Sequence, residues 1–271
     1  MTLRERIGID LGGKVRLEDG LAWAAEHAFR YVDICVDSPP NEIGTFDKGR
    51  VGGVRGLLDR HGIHLGLHTL SAVNVAETSP FLRDAVDTYL RAYVDLAQGL
   101  GAGWIVVHAG YHFTADFERR KAAALERLHR IAGYAEQHGV RLLLENMNPE
   151  PPDAEVRYLG HDVAECRYFF DHLTSPALGW AYTVNHAHML PEGIAGFTRL
   201  FDLERCGEVR LADNRGEKEE HLKPGEGTID FKAMFDQLES AGYDRHYMLA
   251  FGSIEDMQAG RETLLRLAGR A

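Results

Sequence analysis

Titratable side chains follow directly after several short apolar runs of this chain. Glu145 comes directly after Leu-Leu-Leu, and His108 comes directly after Ile-Val-Val. A titratable group at the end of a buried apolar segment carries a desolvation cost unless it has a partner or a chemical task. Further polar residues occupy similar positions along the chain, namely His68, Asn146, Asn185, His186, His188, Asp213, Arg215 and, on a loop beyond, His221.

Such a set of residues at equivalent positions indicates one functional site. Carboxylate and imidazole together are ligands that zinc, manganese and iron accept in proteins. The same groups act as general acids and bases in proton transfer. The residue types therefore point to a metal site, a proton-transfer site or both, provided that the fold brings them together.

The elements that must position these residues are eight short runs rich in Val, Ile and Leu. Near-continuous apolarity of this kind is typical of strands buried on both faces. The longer runs between them carry helical periodicity, which is clearest in Phe81–Gly101 and Asp116–His138. The eight strand-like runs are Arg6–Gly12, Tyr31–Asp37, His64–Leu70, Trp104–Gly110, Val140–Asn146, Leu178–His186, Glu208–Asn214 and His246–Gly252.

Strands that alternate with helices imply parallel βαβ units. Eight such units in 271 residues predict a single α/β domain over residues 1–271, a (β/α)8 TIM barrel. The alternative is a doubly wound open sheet, but the segment 8–13 lacks the glycine spacing of its phosphate loop. In a TIM barrel the active site lies at the C-terminal ends of the strands, which is where the polar residues fall.

Composition and charge exclude several classes of protein. The 30 Lys+Arg and 41 Asp+Glu residues give a formal charge of −11, which argues against a nucleic-acid partner. No run approaches about 20 apolar residues, so we expect no membrane span, and the charged N-terminus is unlike a secretory signal. Three widely spaced cysteines favour neither disulfides nor a metal site. We expect a cytoplasmic protein.

Several motifs resemble those of the xylose isomerase-like TIM-barrel superfamily. This superfamily groups sugar isomerases and epimerases, some dehydratases, and an apurinic/apyrimidinic endonuclease branch. The resemblance is clear from the third strand to the eighth, and the last of the matching segments is the most specific. These segments are Val106–Gly110, Leu143–Asn146, Asn185–Ala187, Leu211–Gly216 and His221–Phe231.

The resemblance implies a metal site with an altered set of ligands. In the sugar-isomerase members a Glu, an Asp, a His and a Glu after the fifth to eighth strands hold one divalent metal. Glu145 matches the first of these ligands. The other three positions hold residues that are poor ligands or none, namely Thr183, Arg210 and Ala250.

The endonuclease branch of the superfamily offers a second correspondence. It adds two histidines to the first ligand, and His68 and His108 match them beside Glu145. The resemblance therefore implies one divalent metal, Zn, Mn or Fe, in a rearranged site of these three residues, and no organic cofactor. A further metal of that branch uses a His and an Asp-x-His pair, which correspond here to His186, Glu219 and His221.

Three functions follow from the resemblance and its departures. The first is a sugar or polyol isomerase or epimerase that moves a proton next to a carbonyl, with a dehydratase or decarboxylase on a keto-sugar as the lyase alternative. The second is a DNA-repair nuclease, which the lost central ligands and the charge of −11 disfavour. The third is a non-catalytic barrel that binds a ligand or a partner.

The first function assigns roles to individual residues. Glu145 acts as metal ligand or base, and His186 and His221 act as catalytic groups that hold or protonate substrate oxygens. The substrate is a small sugar-like molecule, and a homodimer is the expectation at the level of the family. The predicted substrate-binding residues are Asn185, His188, Asp213 and Arg215.

Overall fold

Eight parallel strands close into a barrel in the order in which they occur along the chain. The computed structural model describes residues 1–13, 15–200 and 203–270. Each strand pairs with its sequence neighbours, and the first pairs with the last. This confirms the predicted (β/α)8 TIM barrel. The strands are β1 (Ile7–Asp10), β2 (Tyr31–Ile34), β3 (His64–His68), β4 (Trp104–Val107), β5 (Arg141–Glu145), β6 (Leu178–Thr183), β7 (Cys206–Leu211) and β8 (His246–Leu249).

Helices connect the strands and cover the outside of the barrel. The two longest, over 80–100 and 117–137, lie within one or two residues of their predicted bounds. None of the helices in the described part of the chain is long and apolar enough to cross a membrane. The helices are α1 (Leu3–Arg6), α2 (Leu17–Glu26), α3 (Lys48–His61), α4 (Pro80–Leu100), α5 (Phe117–Gln137), α6 (Val163–His172), α7 (Val184–His188), α8 (Gly193–Leu200), α9 (Phe231–Ser240) and α10 (Ile254–Leu267).

Every barrel strand ends one to three residues before the end of the apolar run that predicts it, and the sixth ends three residues before the end of its run. The side chain of Asn146 binds the backbone of Thr183 on both sides, donating to its carbonyl at 3.0 Å and accepting from its N–H at 2.8 Å. These bonds end the ladder, and the chain turns at once into α7. This contact is made by a residue outside β6, so the apolar pattern of β6 alone does not predict where the strand ends.

A small antiparallel sheet lies in two segments outside the eight predicted strand-like runs. Tyr111–Phe113, after β4, pairs with Val156–Tyr158, after β5, and Tyr111 lies opposite Tyr158. Three residues are too few to show the alternation of apolar and polar residues that is typical of a strand, so neither segment is predicted as a strand from its own sequence. The pairing ties together two of the long loops that follow neighbouring barrel strands.

Side chains of the strands alternate between the helix layer and the barrel interior. In β4, Ile105 and Val107 pack in the large core beneath the helices. Trp104 and Val106 belong instead to a separate interior cluster, which also contains Leu143, Ala181 and Met248. Because successive strand residues point to opposite faces, His108, Glu145 and Thr183 continue the interior rows at the C-terminal end of the barrel.

Below this end, a buried arginine is surrounded by carboxylates. Nη1 of Arg210 lies 2.7 Å from Oδ2 of Asp33 and 2.6 Å from Oε1 of Glu208, and Nη2 contacts Oδ2 of Asp10. Burial raises the pKa of Asp33 well above its usual range, and the charge of Glu208 adds to this effect. From the sequence, Arg210 is predicted only as a position without a metal ligand, whereas in the structure its guanidinium contacts three carboxylates of the barrel interior.

We predict that the barrel interior does not tolerate a side chain at Gly66 of β3. A Cβ atom there would lie 2.2 Å from Oδ1 of Asp33 and 2.2 Å from the indole of Trp104. Gly66→Ala should therefore lower the free energy of unfolding by about 1–3 kcal/mol in urea titrations. The control is Gly56→Ala on the exposed side of α3, where nothing lies within 4 Å. It should raise that free energy by about 0.5–1 kcal/mol, and equal stability of the two variants would contradict this packing.

Candidate functional site

Three side chains with metal-ligand chemistry converge at the ends of β3, β4 and β5. Nε2 of His68 lies 3.3 Å from Nε2 of His108. Oε2 of Glu145 lies 3.5 Å from the first nitrogen and 3.1 Å from the second. His108 and Glu145 are buried, and His68 is partly buried. We call these three residues the inner triplet.

The inner triplet has the size of one face of a tetrahedral zinc site. Donor atoms that are 2.0–2.1 Å from a tetrahedral ion lie about 3.3 Å from one another. The three observed separations, 3.1, 3.3 and 3.5 Å, bracket that value. Three protein ligands leave one position for substrate or water, as in catalytic zinc sites. The donor set therefore fits a divalent ion of the kind that the sequence predicts.

A second contact orients each member of the inner triplet. Such outer contacts fix the tautomer and the direction of metal-binding side chains. The outer contact is made by Nδ1 of each histidine and by Oε1 of the glutamate. The other potential ligand atoms, Nε2 of each histidine and Oε2 of the glutamate, therefore point toward one another. The contacts are His68 Nδ1 to Asp10 Oδ2 (3.4 Å), His108 Nδ1 to Thr69 Oγ1 (3.2 Å) and Thr183 Oγ1 to Glu145 Oε1 (2.5 Å).

The surroundings of the inner triplet stabilise the negative charge of Glu145. Burial raises the pKa of Glu145, but hydrogen bonds from His108 and His68 outweigh it, so this pKa lies well below its usual range. Burial and the charge of Arg210 lower the pKa of His68, but Asp10 and Glu145 outweigh both and raise it to about 9. The triplet therefore retains a cation between its members, either a proton on His68 or a metal ion.

A second group, which we call the outer triplet, consists of His186, Glu219 and His221. Oε1 of Glu219 lies 3.1 Å from Nε2 of His186 and 2.6 Å from Nε2 of His221. Nδ1 of His186 donates to the carbonyl of Asn146, and Nδ1 of His221 donates to the carbonyl of Ala250, both at 2.7 Å. Because a carbonyl only accepts, these bonds place a proton on each Nδ1 and turn both Nε2 atoms toward Glu219.

The outer triplet combines an ionised carboxylate with imidazole rings that bear protons. Burial raises the pKa of Glu219, but hydrogen bonds from His186 and His221 outweigh it and lower the pKa to about 2. The hydrogen bond to Glu219 raises the pKa of His221 above its usual value. Nδ1 of His186 lies 3.9 Å from Oε1 of Glu145. The two triplets therefore adjoin and form one polar centre.

The remaining predicted site residues fall into two groups. Nδ2 of Asn185 donates to Oε1 of Glu219 at 3.3 Å, so Asn185 belongs to the polar centre. Nε2 of His188 contacts Oγ1 of Thr228 at 2.9 Å, and Arg215, whose side chain is half exposed, pairs with Glu220 at 2.6 Å. The structure therefore brings Asn185 to the two triplets, whereas His188 and Arg215 contact the loop between β7 and α9.

Asp213 organises that same loop. Both of its carboxylate oxygens accept backbone hydrogen bonds, at 2.8–3.2 Å. Because a carboxylate engaged in this way holds several peptide groups in place, Asp213 fixes the segment that carries Glu219 and His221. The donors are the N–H groups of Asn214, Gly225, Gly227 and Ile229.

A third His–carboxylate group, at the start of α6, caps that helix. Oδ1 of Asp162 accepts the N–H of Glu165 at 2.8 Å, and Oε2 of Glu165 accepts the N–H of Gly160 at 2.7 Å. His161 lies 3.4 Å from Glu165 through Nδ1, which also contacts the carbonyl of Tyr158. These side chains bind the backbone around the start of the helix, so we assign the group a structural role and not a functional one.

Two contributors to the centre, Thr183 and Asp10, stand at strand ends in the sequence but receive no role there. Thr183 appears there only as a substitute for a ligand, but its hydroxyl holds Glu145, and it lies opposite Arg210 in the β6–β7 register. Asp10 is likewise a second contact of His68. Side chains alternate between the two faces of a strand, so a charged residue in step with the interior positions of an apolar strand is predicted to point into the barrel.

Comparison with known proteins identifies the class to which this barrel belongs. Residues 21–267 match the family model of the xylose isomerase-like TIM barrel. The chain therefore belongs to the xylose isomerase-like TIM-barrel family, as its motifs indicate.

Curated relatives include two uncharacterized proteins of Methanocaldococcus jannaschii. One is 27% identical over 221 residues, which cover 77% of this chain and 71% of the relative. The other is 23% identical over 240 residues, which cover 86% of each protein.

Similar solved structures include several sugar epimerases. A D-tagatose 3-epimerase-like protein superposes with a TM-score of 0.84 at 23% identity, covering 97% of both chains. D-psicose 3-epimerase of Clostridium cellulolyticum H10, solved with D-tagatose, gives 0.79 at 14% identity, covering 97% of this chain and 98% of that chain. The 3-keto-D-glucoside 4-epimerase of E. coli gives 0.76 at 15% identity, covering 98% and 99%. These similarities show a shared fold.

We predict that Glu219→Gln lowers the pKa of His221 in protein without metal. The substitution removes the carboxylate that stabilises the imidazolium, while burial continues to disfavour the charged ring. Histidine proton shifts in NMR titrations report this pKa, with His221→Gln used for assignment. Glu217→Gln changes an exposed carboxylate of the same loop and should leave the titration unchanged. An unchanged titration in Glu219→Gln would contradict the coupling within the outer triplet.

Proposed function

We propose that this protein is an isomerase or epimerase of a sugar or polyol, acting by proton transfer next to a carbonyl with one divalent metal. The observation that carries the proposal is the inner triplet of donor atoms 3.1–3.5 Å apart, adjoining a second group with acid–base chemistry. The sugar epimerases among the solved structures of this fold support the choice of substrate class.

The inner triplet, His68, His108 and Glu145, would hold the metal. Two imidazole nitrogens and one carboxylate oxygen suit zinc, manganese and iron. When bound there, the ion supplies a Lewis acid that polarises the carbonyl of the substrate. The outer contacts from Asp10, Thr69 and Thr183 orient the three ligand side chains without using their ligand atoms.

Glu145 takes the proton from the carbon next to the carbonyl. Its Oε2 faces the two histidines of the inner triplet, whereas Oε1 faces the outer triplet and accepts from the Thr183 hydroxyl. We assign Oε1 as the proton acceptor. A carboxylate with a lowered pKa is a weak base, so the reaction requires that the carbonyl be polarised when the C–H bond breaks.

The outer triplet supplies the proton to the substrate oxygen. The hydrogen bond to Glu219 raises the pKa of His221 and so favours the imidazolium form, whose charge Glu219 stabilises. As the C–H bond breaks, negative charge develops on the carbonyl oxygen, and His221 and His186 stabilise it. Delivery of a proton to the former carbonyl carbon gives the isomer, and delivery to the opposite face of the original carbon gives the epimer. The enediol oxygen that becomes the new carbonyl returns a proton to the outer triplet, so the reaction is redox-neutral and leaves the protein groups as they began.

The charges around the centre favour an uncharged substrate. Arg210 contacts three carboxylates, Arg215 pairs with Glu220 at 2.6 Å, and Lys223 pairs with Asp256 at 2.6 Å. Each of these cations already has a carboxylate partner, so none is poised for a phosphate or carboxylate group. A free sugar or polyol fits this arrangement better than a sugar phosphate.

Glu145→Gln should abolish proton abstraction while preserving the fold. The amide is nearly isosteric with the carboxylate but cannot accept the proton. Proton NMR in D2O would measure deuterium incorporation next to the carbonyl of D-tagatose, D-psicose, D-fructose and L-ribulose, with Zn, Mn or Fe present. We expect exchange of at least one sugar by the wild type and a loss of at least about 100-fold in the variant.

The matched control is Glu226→Gln, which changes an exposed carboxylate on the loop between β7 and α9 and should retain wild-type exchange. Exchange by Glu145→Gln at the wild-type rate would refute the role of Glu145. If no sugar exchanges with any of the metals, the enzymatic proposal itself fails, and a ligand-binding barrel becomes the better account.

A further inference from the structure

We infer that Arg210 is a positioning residue of the metal site, which acts through Asp10 on His68. The inference rests on the proposed function, because it concerns how the inner triplet binds its ion. It follows from a chain of side-chain contacts that begins in the barrel interior and ends at one ligand.

The first step of the chain is the fixed position of the guanidinium. Arg210 is 3% exposed and contacts Asp33, Glu208 and Asp10. Three carboxylates from β1, β2 and β7 surround it, so the planar group has one orientation available. Bidentate and forked contacts of this kind are specific to arginine, since lysine offers a single point charge.

The second step is Asp10, which the guanidinium shares with a metal ligand. Its Oδ2 contacts Nη2 of Arg210 and lies 3.4 Å from Nδ1 of His68. Its Oδ1 accepts the N–H of Gly12 at 2.8 Å. The carboxylate is therefore held on one side by the loop after β1 and on the other by Arg210, with the imidazole as its third contact.

The third step is the tautomer of His68. For Nε2 to offer a lone pair to a metal, the proton of the neutral ring must lie on Nδ1. Nδ1 then donates to Asp10, and this bond sets the direction in which Nε2 points. Displacement of Asp10 would turn the ring away from Nε2 of His108 and Oε2 of Glu145.

His68 differs from the other three histidines of the centre in the partner of its Nδ1 atom. His186 and His221 donate from Nδ1 to backbone carbonyls, and Nδ1 of His108 contacts the hydroxyl of Thr69, which itself bonds the backbone of Val106. Those orientations depend on the strands alone. The orientation of His68 depends on a carboxylate whose own position depends on Arg210.

A double-mutant cycle on metal affinity tests the inference. The variants are Asp10→Asn, Arg210→Lys and the double substitution, and the Kd for Zn2+ is measured by competition with a chromophoric chelator. Asp10→Asn should weaken binding by about 10–100-fold, and Arg210→Lys, which keeps the charge, by about 10-fold. If Arg210 acts through Asp10, and not through Glu145, whose Oε1 lies 4.0 Å from its Nε, the double variant should bind as weakly as Asp10→Asn alone.

A spectroscopic readout and a matched control separate positioning from stability. The visible absorption of bound Co2+ should change in Asp10→Asn and in Arg210→Lys. Arg6→Lys changes another buried arginine that pairs with a carboxylate, Glu239 at 2.7 Å. It lies before β1, at the opposite end of the barrel, and should lower the unfolding midpoint while leaving Zn2+ affinity and the Co2+ spectrum unchanged.

The outcomes distinguish this inference from the proposed function. If the wild type binds neither Zn2+ nor Co2+, both fail together. If it binds them but the two substitutions weaken affinity multiplicatively, or Arg210→Lys behaves like Arg6→Lys, only the inference fails. Should Arg210→Lys not fold, Asp10→Asn alone is decisive, since an unchanged Kd in that variant overturns the inference.

Discussion

In the described part of the chain, four carboxylates project into the interior of this barrel, where burial leaves their negative charge poorly solvated. Buried ions are costly unless they are paired and hydrogen-bonded. Arg210 contacts three of the four carboxylates, those of Asp10, Asp33 and Glu208. The fourth, Glu145, lies 4.0 Å from Nε of the same guanidinium and depends on His68 and His108 for compensation. The centre is therefore built around a requirement for positive charge.

Two of the three positions that depart from the ligand pattern implied by the resemblance lie beside Glu145 and this guanidinium. The residues that replace the usual ligands after the sixth and seventh strands are Thr183 and Arg210, which lie opposite each other in the β6–β7 register. Thr183 binds Oε1 of Glu145, and Arg210 brings a permanent charge. Both lie on the Oε1 side of Glu145, and Oε2 faces the two histidines. The shift to a two-histidine, one-carboxylate donor set is the proposed consequence.

Much of the fold and part of the site follow from the sequence. Alternating apolar and amphipathic runs predict the barrel, and residues directly after apolar runs, such as His108 and Glu145, predict which groups meet at its C-terminal end. The motif that carries His221 also predicts its proximity to His186, which the structure places on the same carboxylate, Glu219.

Other features depend on contacts between distant segments and carry no local signal. The side chain of Asn146, directly after the neighbouring strand β5, binds the last residue of β6, and the small sheet forms from two segments of three residues. The sequence does not predict the role of Arg210, because at a position where the resemblance implies a metal ligand an arginine indicates only that the ligand is absent. Charged residues at alternate positions of apolar strands, as at Glu208 and Arg210, were the available sign that they point into the barrel.

The central claim is that one divalent ion binds between His68, His108 and Glu145. Anomalous diffraction from crystals grown with Zn2+, recorded above and below the zinc absorption edge, locates the ion directly. The account predicts a peak about 2.0–2.2 Å from the two Nε2 atoms and from Oε2 of Glu145, which is lost in His108→Ala. A zinc peak confined to the outer triplet, or no peak at the inner one in crystals of wild-type protein, would contradict it.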